Sequence, residues 1–569
     1  MKYKLNKIGI LQIILFALVM MGCAKFIEPD FDNTYTGVSL ENPFKAEGLL
    51  IKSYAYLPNN WDQSDVATDN AVSNLSSMNY TIAATGGLTS SYNPFGSWET
   101  NYYGIQYANL FLTYVDKVVW DDDANKNKAY ADRLKGEALA LRVYYYVQLL
   151  KQYGGYDSQG NLLGFVMVKE NVDLFNTDWK TLDRAPYSEC VAEILKDIEL
   201  ALQLLPSRYV DGDDSDQNDV IGDDQTGRIN GRCLMMLKAQ MLLTAASPAF
   251  SEKSGVTWEQ AATAAAAIVN EVGGLNNMTN ARTTFYNFTA ANKIDSDVIW
   301  RRVIEKNATL EKDNYPNSLK GNGRINPTHN LVEAFPAKNG YPISMTESNV
   351  ISSDPYVNRD PRLQAYVVYN GAKLGKTNDI IYTNVDNAID GVDAVPNKTT
   401  KTGYYLRKFL NEKVVDLHPK EIKSDHIFVL MRCTEAYLMY AESANEAWGP
   451  QGKGNNSFSA YDIIKKIRQT AGIDIDDLYL ESIKNDKDAM RVLIRNERRI
   501  ELCFEGKRFW DVRRWKDISS MKDTPKRTLD GGLTQDAVFV EPRTYQDYMI
   551  YLPLPEQEIN KGLTQNASW

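Results

Sequence analysis

Apolar residues recur every three or four positions through much of this chain, which is the spacing of one face of an α-helix. In the segment 126–153, Leu139, Tyr146, Val147 and Leu150 lie along one side. A double glycine at 154–155 then ends the pattern, as glycine does at helix C-termini. The same periodicity predicts helices at 43–56, 98–119, 126–153, 187–205, 230–246, 258–272, 427–448, 459–471 and 487–504.

The predicted helices follow one another in pairs. The second member of the pair 230–246 and 258–272 is rich in alanine, and small side chains let neighbouring helices approach closely. Antiparallel pairs in succession are typical of an α-solenoid. No repeat motif of the tetratricopeptide (TPR) type can be read in the letters, so helix pairing alone carries this interpretation.

The segment 280–425 differs from the helical parts. It is rich in turn residues, and it contains short alternating stretches at 297–303, 365–369 and 403–409. The predicted fold is mostly α: a TPR-like helical-pair scaffold with an irregular, loop-rich lobe that carries short strands. We expect 41–279 and 280–569 to form one intertwined fold. The stretch 548–554 is predicted to be extended.

One stretch near the C-terminus, 490–515, combines an apolar helical face with charges. Glu497 and Glu501 lie one turn apart on the same stripe as the apolar residues, within a run of arginines. Inward carboxylates are costly unless they are paired, and guanidinium groups are their natural partners. We therefore predict structural ion pairs that involve Glu497, Arg498, Glu501 and Arg508. Gly506 is predicted to end the helix, and 507–515 to return across it as a tight loop.

Two carboxylates one turn apart could also perform acid–base chemistry, and an alternating aromatic–arginine segment could hold a ligand. No histidine, cysteine pair or glycine-rich loop accompanies Glu497 and Glu501 in this stretch. The pattern favours a cross-braced helix and return loop.

Composition narrows the class of protein. A hydrophobic content of 44% and a charged content of 24% are typical of a soluble globular chain. The net charge of −10 argues against nucleic acid as a partner. The 34 tyrosines supply the chemistry that sugar-binding and peptide-binding surfaces use.

The N-terminus has the pattern of a secretory signal. Lys2, Lys4 and Lys7 precede a short apolar segment, 8–21, which ends at Gly22-Cys23. This segment is too short to span a membrane, and its end resembles a bacterial lipoprotein box. We predict a signal peptide at 1–22, lipid attachment at Cys23 and a tether at 23–40.

Four further cysteines, Cys190, Cys233, Cys433 and Cys503, are far apart, and none forms a CxxC motif. Buried thiols are favoured, although a bridge from Cys233 to Cys433 or Cys503 stays open. The acidic run 211–224 fails the EF-hand pattern, because Asp219 and Gln225 stand where glycine and glutamate are needed. A surface loop is favoured there, and no metal or cofactor is expected.

The long polar region 57–97 has little periodicity, and long loops in compact proteins are commonly functional. Sugar sites combine an aromatic platform with amide or carboxylate groups, and both are concentrated at 61–101. The candidate ligand-binding residues are Trp61, Asp65, Asp69, Asn70, Tyr80, Tyr92, Phe95, Trp98 and Asn101.

A series of motifs in chain order resembles the SusD/RagB family of surface nutrient-binding lipoproteins. Lys465 departs from the asparagine that is usual before Ile467-Arg468. The motifs include Gly136-Glu137-Ala138 with Leu141-Arg142, Gly227-Arg228 with Ala245-Ala246-Ser247-Pro248, Asn326-Pro327-Thr328, Asn358-Arg359-Asp360-Pro361-Arg362, Thr402-Gly403-Tyr404-Tyr405, Glu497-Arg498-Arg499-Ile500-Glu501-Leu502, Phe504-Glu505-Gly506 and Trp510-Asp511.

The resemblance implies a TPR-like scaffold in a non-catalytic protein of the outer membrane, facing the cell surface. It implies capture of a glycan or peptide ligand, oligosaccharides or other polymer fragments, for a SusC-like TonB-dependent transporter. Two alternatives stay open. One is a surface hydrolase that uses Glu497 and Glu501, or Asp65 and Asp69. The other is a structural helical scaffold.

Overall fold

The computed structural model describes residues 40–169, 182–278, 297–303, 305–351, 354–412, 414, 423–528 and 538–569. Cys23, the predicted signal peptide and nearly all of the predicted tether lie outside these residues. Within the described ranges, no helix is both long enough and apolar enough to cross a membrane.

Long helices make up most of the regular structure. They are α1 (Pro43–Ala55), α2 (Trp98–Tyr114), α3 (Ala124–Tyr153), α4 (Tyr187–Leu204), α5 (Gly231–Ala246), α6 (Trp258–Glu271), α7 (Cys433–Trp448), α8 (Ala460–Ala471) and α9 (Lys487–Glu501), followed by the short α10 (Arg508–Arg514). Other short helices are Asn79–Ile82, Ser215–Ile221, Ser251–Ser254, Thr309–Asn314, His329–Ala334, Pro361–Tyr366, Leu478–Ser482, Ile518–Lys522 and Glu556–Asn560.

Side-chain caps fix where several of these helices begin. Asn42 accepts hydrogen bonds from the backbone N–H groups of residues 44 and 45 at the start of α1. Thr257 and Gln260 form a reciprocal capping box at α6. Such caps satisfy N–H groups that have no partner within the helix.

The helices pack in series: α1 on α2, α2 on α3, α3 on α4, α4 on α5 and α5 on α6. The series continues from α6 to α7, across the long insertion between them, and then to α8 and α9. The scaffold is therefore continuous in space although the lobe interrupts it in sequence. The predicted fold class, a mostly α TPR-like scaffold with an irregular lobe, is confirmed.

Close approach between helices depends on small residues. A Cβ at Gly104 of α2 would lie 2.3 Å from the Tyr145 ring of α3, so this contact requires glycine. Ala261 and Ala265 of α6 are both buried. The alanine-rich helix packs against its neighbours on both sides, as its composition predicted.

The strands are short, and each pairs with one antiparallel neighbour. The pairing of β1 (Ala71–Ser73) with β6 (Ile325–Pro327) joins the loop after α1 to the lobe, with Ala71 opposite Pro327. The pairs are β1–β6 (Ala71–Ser73, Ile325–Pro327), β2–β3 (Gly155–Tyr156, Leu162–Leu163), β4–β12 (Val298–Arg301, Val429–Arg432), β5–β11 (Glu305–Asn307, Ser424–His426), β7–β10 (Val367–Val368, Tyr405–Leu406), β8–β9 (Ala372–Leu374, Asp379–Ile381) and β13–β14 (Lys526–Arg527, Val538–Phe539).

One core cluster of the lobe crosses the predicted division at residue 279. It combines Val66 and Ala71 with Leu331 and Tyr404 of the lobe, and with Phe504 after α9. The two parts thus share buried side chains. The position of the division itself stays a prediction.

Several predicted boundaries were wrong. Residues 429–432 belong to β12, so α7 begins at Cys433. The segment 361–366 is helical before β7, and 547–550 form a 3₁₀ turn where an extended chain was predicted. These positions pair or pack with distant segments, and local periodicity does not register such contacts.

The end of α9 also differs from its prediction. The helix ends at Glu501, and both Phe504 and Gly506 have positive φ. A Cβ at Gly506 would lie 2.3 Å from the Asp62 carboxylate, so glycine permits this turn. The predicted return loop is instead the helix α10. Its Phe509 is buried, and the Arg513 guanidinium lies 3.5 Å from the Phe509 ring centroid, one helical turn away.

Candidate functional site

A cavity of about 240 Å³ opens where the scaffold meets the segments after α1 and α9, and we call it the central groove. Its walls come from α3, α5, the start of α7, the turn after α9 together with α10, and the loop 58–62. Its lining side chains include Trp61, Gln148, Lys151, Gln240, Lys507 and Trp510.

Two half-buried tryptophans supply the aromatic surface of the groove. Trp61 stacks on Phe409 with ring centroids 4.1 Å apart, and Phe428 lies edge-on to it at 5.2 Å. Trp510 packs against Phe509 at 5.1 Å. These contacts fix both indole rings in place, so a ligand would meet preorganised apolar faces.

Glu435 organises the polar wall. Its carboxylate accepts hydrogen bonds from Lys507 Nζ at 2.9 Å and from Gln240 Nε2 at 3.1 Å. Arg498 Nη2 lies 3.8 Å from the other carboxylate oxygen. Lys507 and Gln240 are thereby oriented at the groove by one buried acid.

Lys151 of α3 lies over the Trp510 ring, with Nζ 4.9 Å from the ring centroid. Burial, with a smaller contribution from the positive charge of Lys507, lowers the pKa of Lys151 to about 8. The carboxylates of Asp62 and Glu435 act in the opposite direction. The charged form of Lys151 is therefore less favoured than that of an exposed lysine.

A network of buried charges lies beneath the groove. Glu497 accepts from Arg362 at 2.8 Å and from Arg468 at 2.6 Å. Glu501 accepts from Arg362 at 3.0 Å and from Arg432 at 3.2 Å. Burial alone would raise the pKa of Glu501, but these arginines hold it below its usual range. Both carboxylates thus lie in buried ion pairs.

The two predicted arginines of this network are also paired. Arg498 Nε donates to Asp511 at 2.9 Å, which connects α9 to α10. Arg508 donates to both oxygens of Asp69, at 2.8 and 2.7 Å. The four residues predicted as structural ion pairs therefore all lie in buried contacts with opposite charges.

Comparison with known families agrees with the motifs. Residues 277–569 match the model of the SusD family. The chain belongs to the SusD family. Residues 41–214 match a second SusD-like family, described as starch-binding and associating with the outer membrane.

Solved structures share the fold of this SusD-family chain. A SusD-like protein from Bacteroides fragilis is 21% identical, with a TM-score of 0.73 over 95% of this chain and 100% of that one. A SusD-like carbohydrate-binding protein from the same species is 18% identical, with a TM-score of 0.68 over 91% and 98%. Surface glycan-binding protein A from Bacteroides fluxus is 17% identical, with a TM-score of 0.60 over 92% and 99%. No curated protein matches the chain.

Three of the candidate ligand residues lie in the interior of this SusD-family fold. Asp69 pairs with Arg508 and, at 2.9 Å, with Arg499. Although burial opposes ionisation, these arginines lower the pKa of Asp69 to about 2. Asn70 accepts from Arg499 Nε at 2.8 Å. Asp65 accepts from the backbone N–H of Phe504 at 2.6 Å, and burial raises its pKa to about 6.

Three more candidates pack in the core. Phe95 stacks on Phe509 with centroids 3.7 Å apart. Trp98 meets Tyr153 edge-on at 5.0 Å, and Asn101 donates to Gln152 at 3.2 Å. All six of these buried candidates contact protein groups here, and a ligand has no access to them in this arrangement.

The remaining candidates, Trp61, Tyr80 and Tyr92, keep part of their surface exposed. Trp61 lines the central groove. Tyr80 packs against Phe95 with ring centroids 5.3 Å apart, and burial, with a smaller contribution from the negative charge of Asp62, raises the pKa of Tyr80. Tyr92 donates from its hydroxyl to Asn79 at 3.0 Å.

Sequence reasoning missed most of the groove. Lys151 and Gln148 lie on a helix, and Trp510 and Lys507 lie within a motif that was interpreted as structural. The one available signal was Lys151, a charged residue five positions after the YYY motif, at the end of a helix where most residues are buried. Local spacing in the sequence cannot predict that five separate segments meet at one cavity.

The structure of the four cysteines and of the acidic run 211–224 matches the sequence-based predictions of buried thiols and a surface segment. All four cysteines of the described chain are buried. Residues 215–221 form a short helix that Asp214 caps, and the segment is mostly exposed. Within the described residues, no group of three or more His, Cys, Asp or Glu side chains could hold a metal ion.

Proposed function

We propose that this SusD-family protein is a non-catalytic binding protein that captures oligosaccharides or other polymer fragments. The bound fragments would pass to a SusC-like TonB-dependent transporter. The central groove carries the proposal. Its tryptophans offer flat apolar faces for the C–H surfaces of sugar rings, and its amide and charged groups can bond to hydroxyls.

The names of related proteins support a glycan as ligand. The family matched by residues 41–214 is described as starch-binding, and two structural neighbours are named as carbohydrate-binding and glycan-binding. Of the residues predicted from sequence, Trp61 is the one that we place at the ligand. Tyr80 and Tyr92 are proposed to extend the site along its rim.

The burial of the candidate carboxylates favours a binding protein over a hydrolase. Glu497 and Glu501 are buried and paired with arginines. Asp65 and Asp69 have widely separated pKa values, which resembles an acid–base pair, but both are only 2% exposed. A general acid must come within hydrogen-bond reach of its substrate, and these cannot without unfolding their surroundings.

The family description supports a location at the outer membrane. We further propose that a lipid on Cys23 anchors the protein there and that the protein faces the cell surface. The basic, apolar leader that ends at Gly22-Cys23 motivates this assignment.

The decisive experiment is a glycan screen of the purified full chain on immobilised polysaccharides, followed by calorimetry with oligosaccharides of the best binder. We expect saturable binding and unchanged oligosaccharides when the mixture is chromatographed after long incubation. Shortened products would favour the hydrolase, and the absence of any binding would favour the scaffold. Co-purification of a membrane transporter with the tagged chain would test the partner.

A further inference from the structure

The cationic side chains of the central groove fall into two groups. Four of them bond to carboxylates that the chain itself supplies, whereas two have no such partner among the described residues. The paired ones are Arg432 with Glu501 and Glu505, Arg498 with Asp511, Lys507 with Glu435, and Arg514 with Glu442. The others are Lys151 and Arg513.

Elsewhere this chain neutralises its buried lysines. Lys408 is fully buried, and Glu505 lies 2.7 Å from its Nζ. Lys507, half-buried at the groove, has Glu435 at 2.9 Å. No carboxylate of the described residues forms an ion pair with Lys151, whose Nζ lies over the ring of Trp510. Its ammonium group thus faces the cavity, and Asp62 and Glu435 act on it only from a longer distance.

Arg513 adds to the positive charge beneath the groove. Its guanidinium donates to the backbone carbonyls of Phe509 and Met549, at 3.1 and 3.2 Å, and not to a carboxylate. Its Nη2 is buried with no hydrogen-bond partner in the described chain. Arg513 is inaccessible, so it would act on a ligand through its field, which is strong across a weakly polar interior.

We infer that the central groove selects glycans with an anionic substituent, a carboxylate or a sulfate, which pairs with Lys151 while the sugar ring lies against Trp510. This inference rests on the proposed function and names the class of glycan. An ammonium group beside an indole face suits an acidic sugar, because one part of the ligand is charged and the adjacent ring face is apolar.

The net charge of −10 does not prevent an anionic group from binding inside the groove. Charges spread over the surface are screened beyond roughly 8 Å at physiological salt, whereas a contact inside the cavity is screened far less. The groove should therefore recognise a local anionic group on an oligosaccharide. Long polyanions gain no general attraction to this chain.

The test compares matched acidic and neutral probes by calorimetry on the purified full chain. One pair is trigalacturonate and its methyl ester, and the other is a sulfated κ-carrageenan oligosaccharide and its desulfated form. We expect one acidic probe to bind about tenfold tighter than its neutral counterpart, the difference typical of one charged hydrogen bond. The probe pair in which the acidic form binds tighter shows whether the groove recognises a carboxylate or a sulfate.

Variants locate the effect. Lys151→Met keeps the apolar stem and should weaken binding of the acidic probe about tenfold more than it weakens binding of the neutral counterpart. Lys151→Arg should restore the preference, because it restores the charge. Lys128→Met is the matched control, since Lys128 lies on the same helix with 76% of its side chain exposed. Thermal unfolding of each variant shows that it folds.

Three results would overturn the inference and leave the proposed function intact. They are equal affinity for acidic and neutral probes, an unchanged acidic affinity in a folded Lys151→Met, and a ligand from the screen that is neutral while all four probes fail. If no glycan of any kind binds, the proposed function fails, and the inference fails with it.

Discussion

Arg508 donates hydrogen bonds to both carboxylate oxygens of Asp69, with Nε 2.8 Å from Oδ1 and Nη2 2.7 Å from Oδ2. The two residues are 439 positions apart in the chain, and both are buried. This pair connects the loop after α1 to the start of α10. A buried ion pair thus joins the segment that carries Trp61 to the helix that carries Trp510.

The first prediction concerns this pair. Arg508→Ala should lower the free energy of unfolding by about 3–5 kcal/mol, because Asp69 would lose one of its two arginines in a buried site. Urea denaturation measures the change. Lys522→Ala is the control, since its partner Asp547 is 73% exposed and such pairs contribute at most about 1 kcal/mol. Equal losses in the two variants would contradict the prediction.

The second prediction is a pH dependence at Asp65. Burial raises its pKa to about 6, although hydrogen bonds from Phe504 and Asn70 oppose this. Between about pH 4 and 6 the folded state keeps a proton that the unfolded state has lost, so this group lowers the free energy of unfolding as the pH rises. Its Oδ1 is buried and has no hydrogen-bond partner among the described residues, so no donor there stabilises a negative charge on that oxygen.

Asp65→Asn removes that titration and can still accept from the Phe504 N–H. The variant should gain stability relative to wild type as the pH rises from 4 to 6, by at most about 3 kcal/mol, and then hold the difference. Denaturation at several pH values measures it. A difference that stays flat across this window would show that Asp65 does not titrate there.

The contrast between Glu497 and Asp69 shows what the sequence could predict. Glu497 lies on the apolar stripe of a helix within a run of arginines, so both its burial and its pairing were readable from local spacing. Asp69 lies in a segment without periodicity, where a carboxylate that binds a sugar and one that binds Arg508 look the same. Only the fold decides between them.

The same limit applies to the helices and the groove. Helices with a regular apolar face, such as α3 and α6, were predicted within a few residues. The start of α7 was missed because β12 pairs with a distant strand. The groove collects Lys151, Gln240 and Trp510 from three different helices, and no spacing in the chain relates them.

The third prediction tests the charge network and the hydrolase together. Glu497→Ala should lower the free energy of unfolding by about 3–5 kcal/mol, because Arg362 and Arg468 would each lose a buried partner. Glu481→Ala is the control, on an exposed pair with Lys484. A Glu497→Ala protein as stable as wild type that had lost an ability to cleave glycans would support the hydrolase.

The fourth prediction concerns the proposed anchor. Cys23→Ala removes the thiol to which a lipid would be attached, so the variant should stay unprocessed or appear in the soluble fraction. Fractionation of cells and mass spectrometry of the N-terminus measure both. Ser39→Ala, which changes a residue outside the lipoprotein motif, serves as the control. Normal processing and normal membrane recovery of Cys23→Ala would contradict lipid attachment there.

The fifth prediction tests the aromatic faces of the groove. Trp510→Ala and Trp61→Ala should each weaken the affinity for the glycan found in the screen by roughly tenfold to thirtyfold, since buried aromatic anchors contribute about 2 kcal/mol to binding. Tyr80→Ala and Tyr92→Ala should have smaller effects, because neither side chain lines the groove. Calorimetry measures the affinity, and thermal unfolding confirms that each variant is folded.

Two further tryptophans separate binding from stability in that experiment. Trp448 is half-buried at the end of α7, so Trp448→Ala removes an indole that lies away from the groove lining and should leave the affinity unchanged. Trp98→Ala should instead lose stability, by about 3–5 kcal/mol, because it empties a core site against Tyr153. If Trp61→Ala and Trp510→Ala both fold and bind the glycan like wild type, the central groove is not the ligand site.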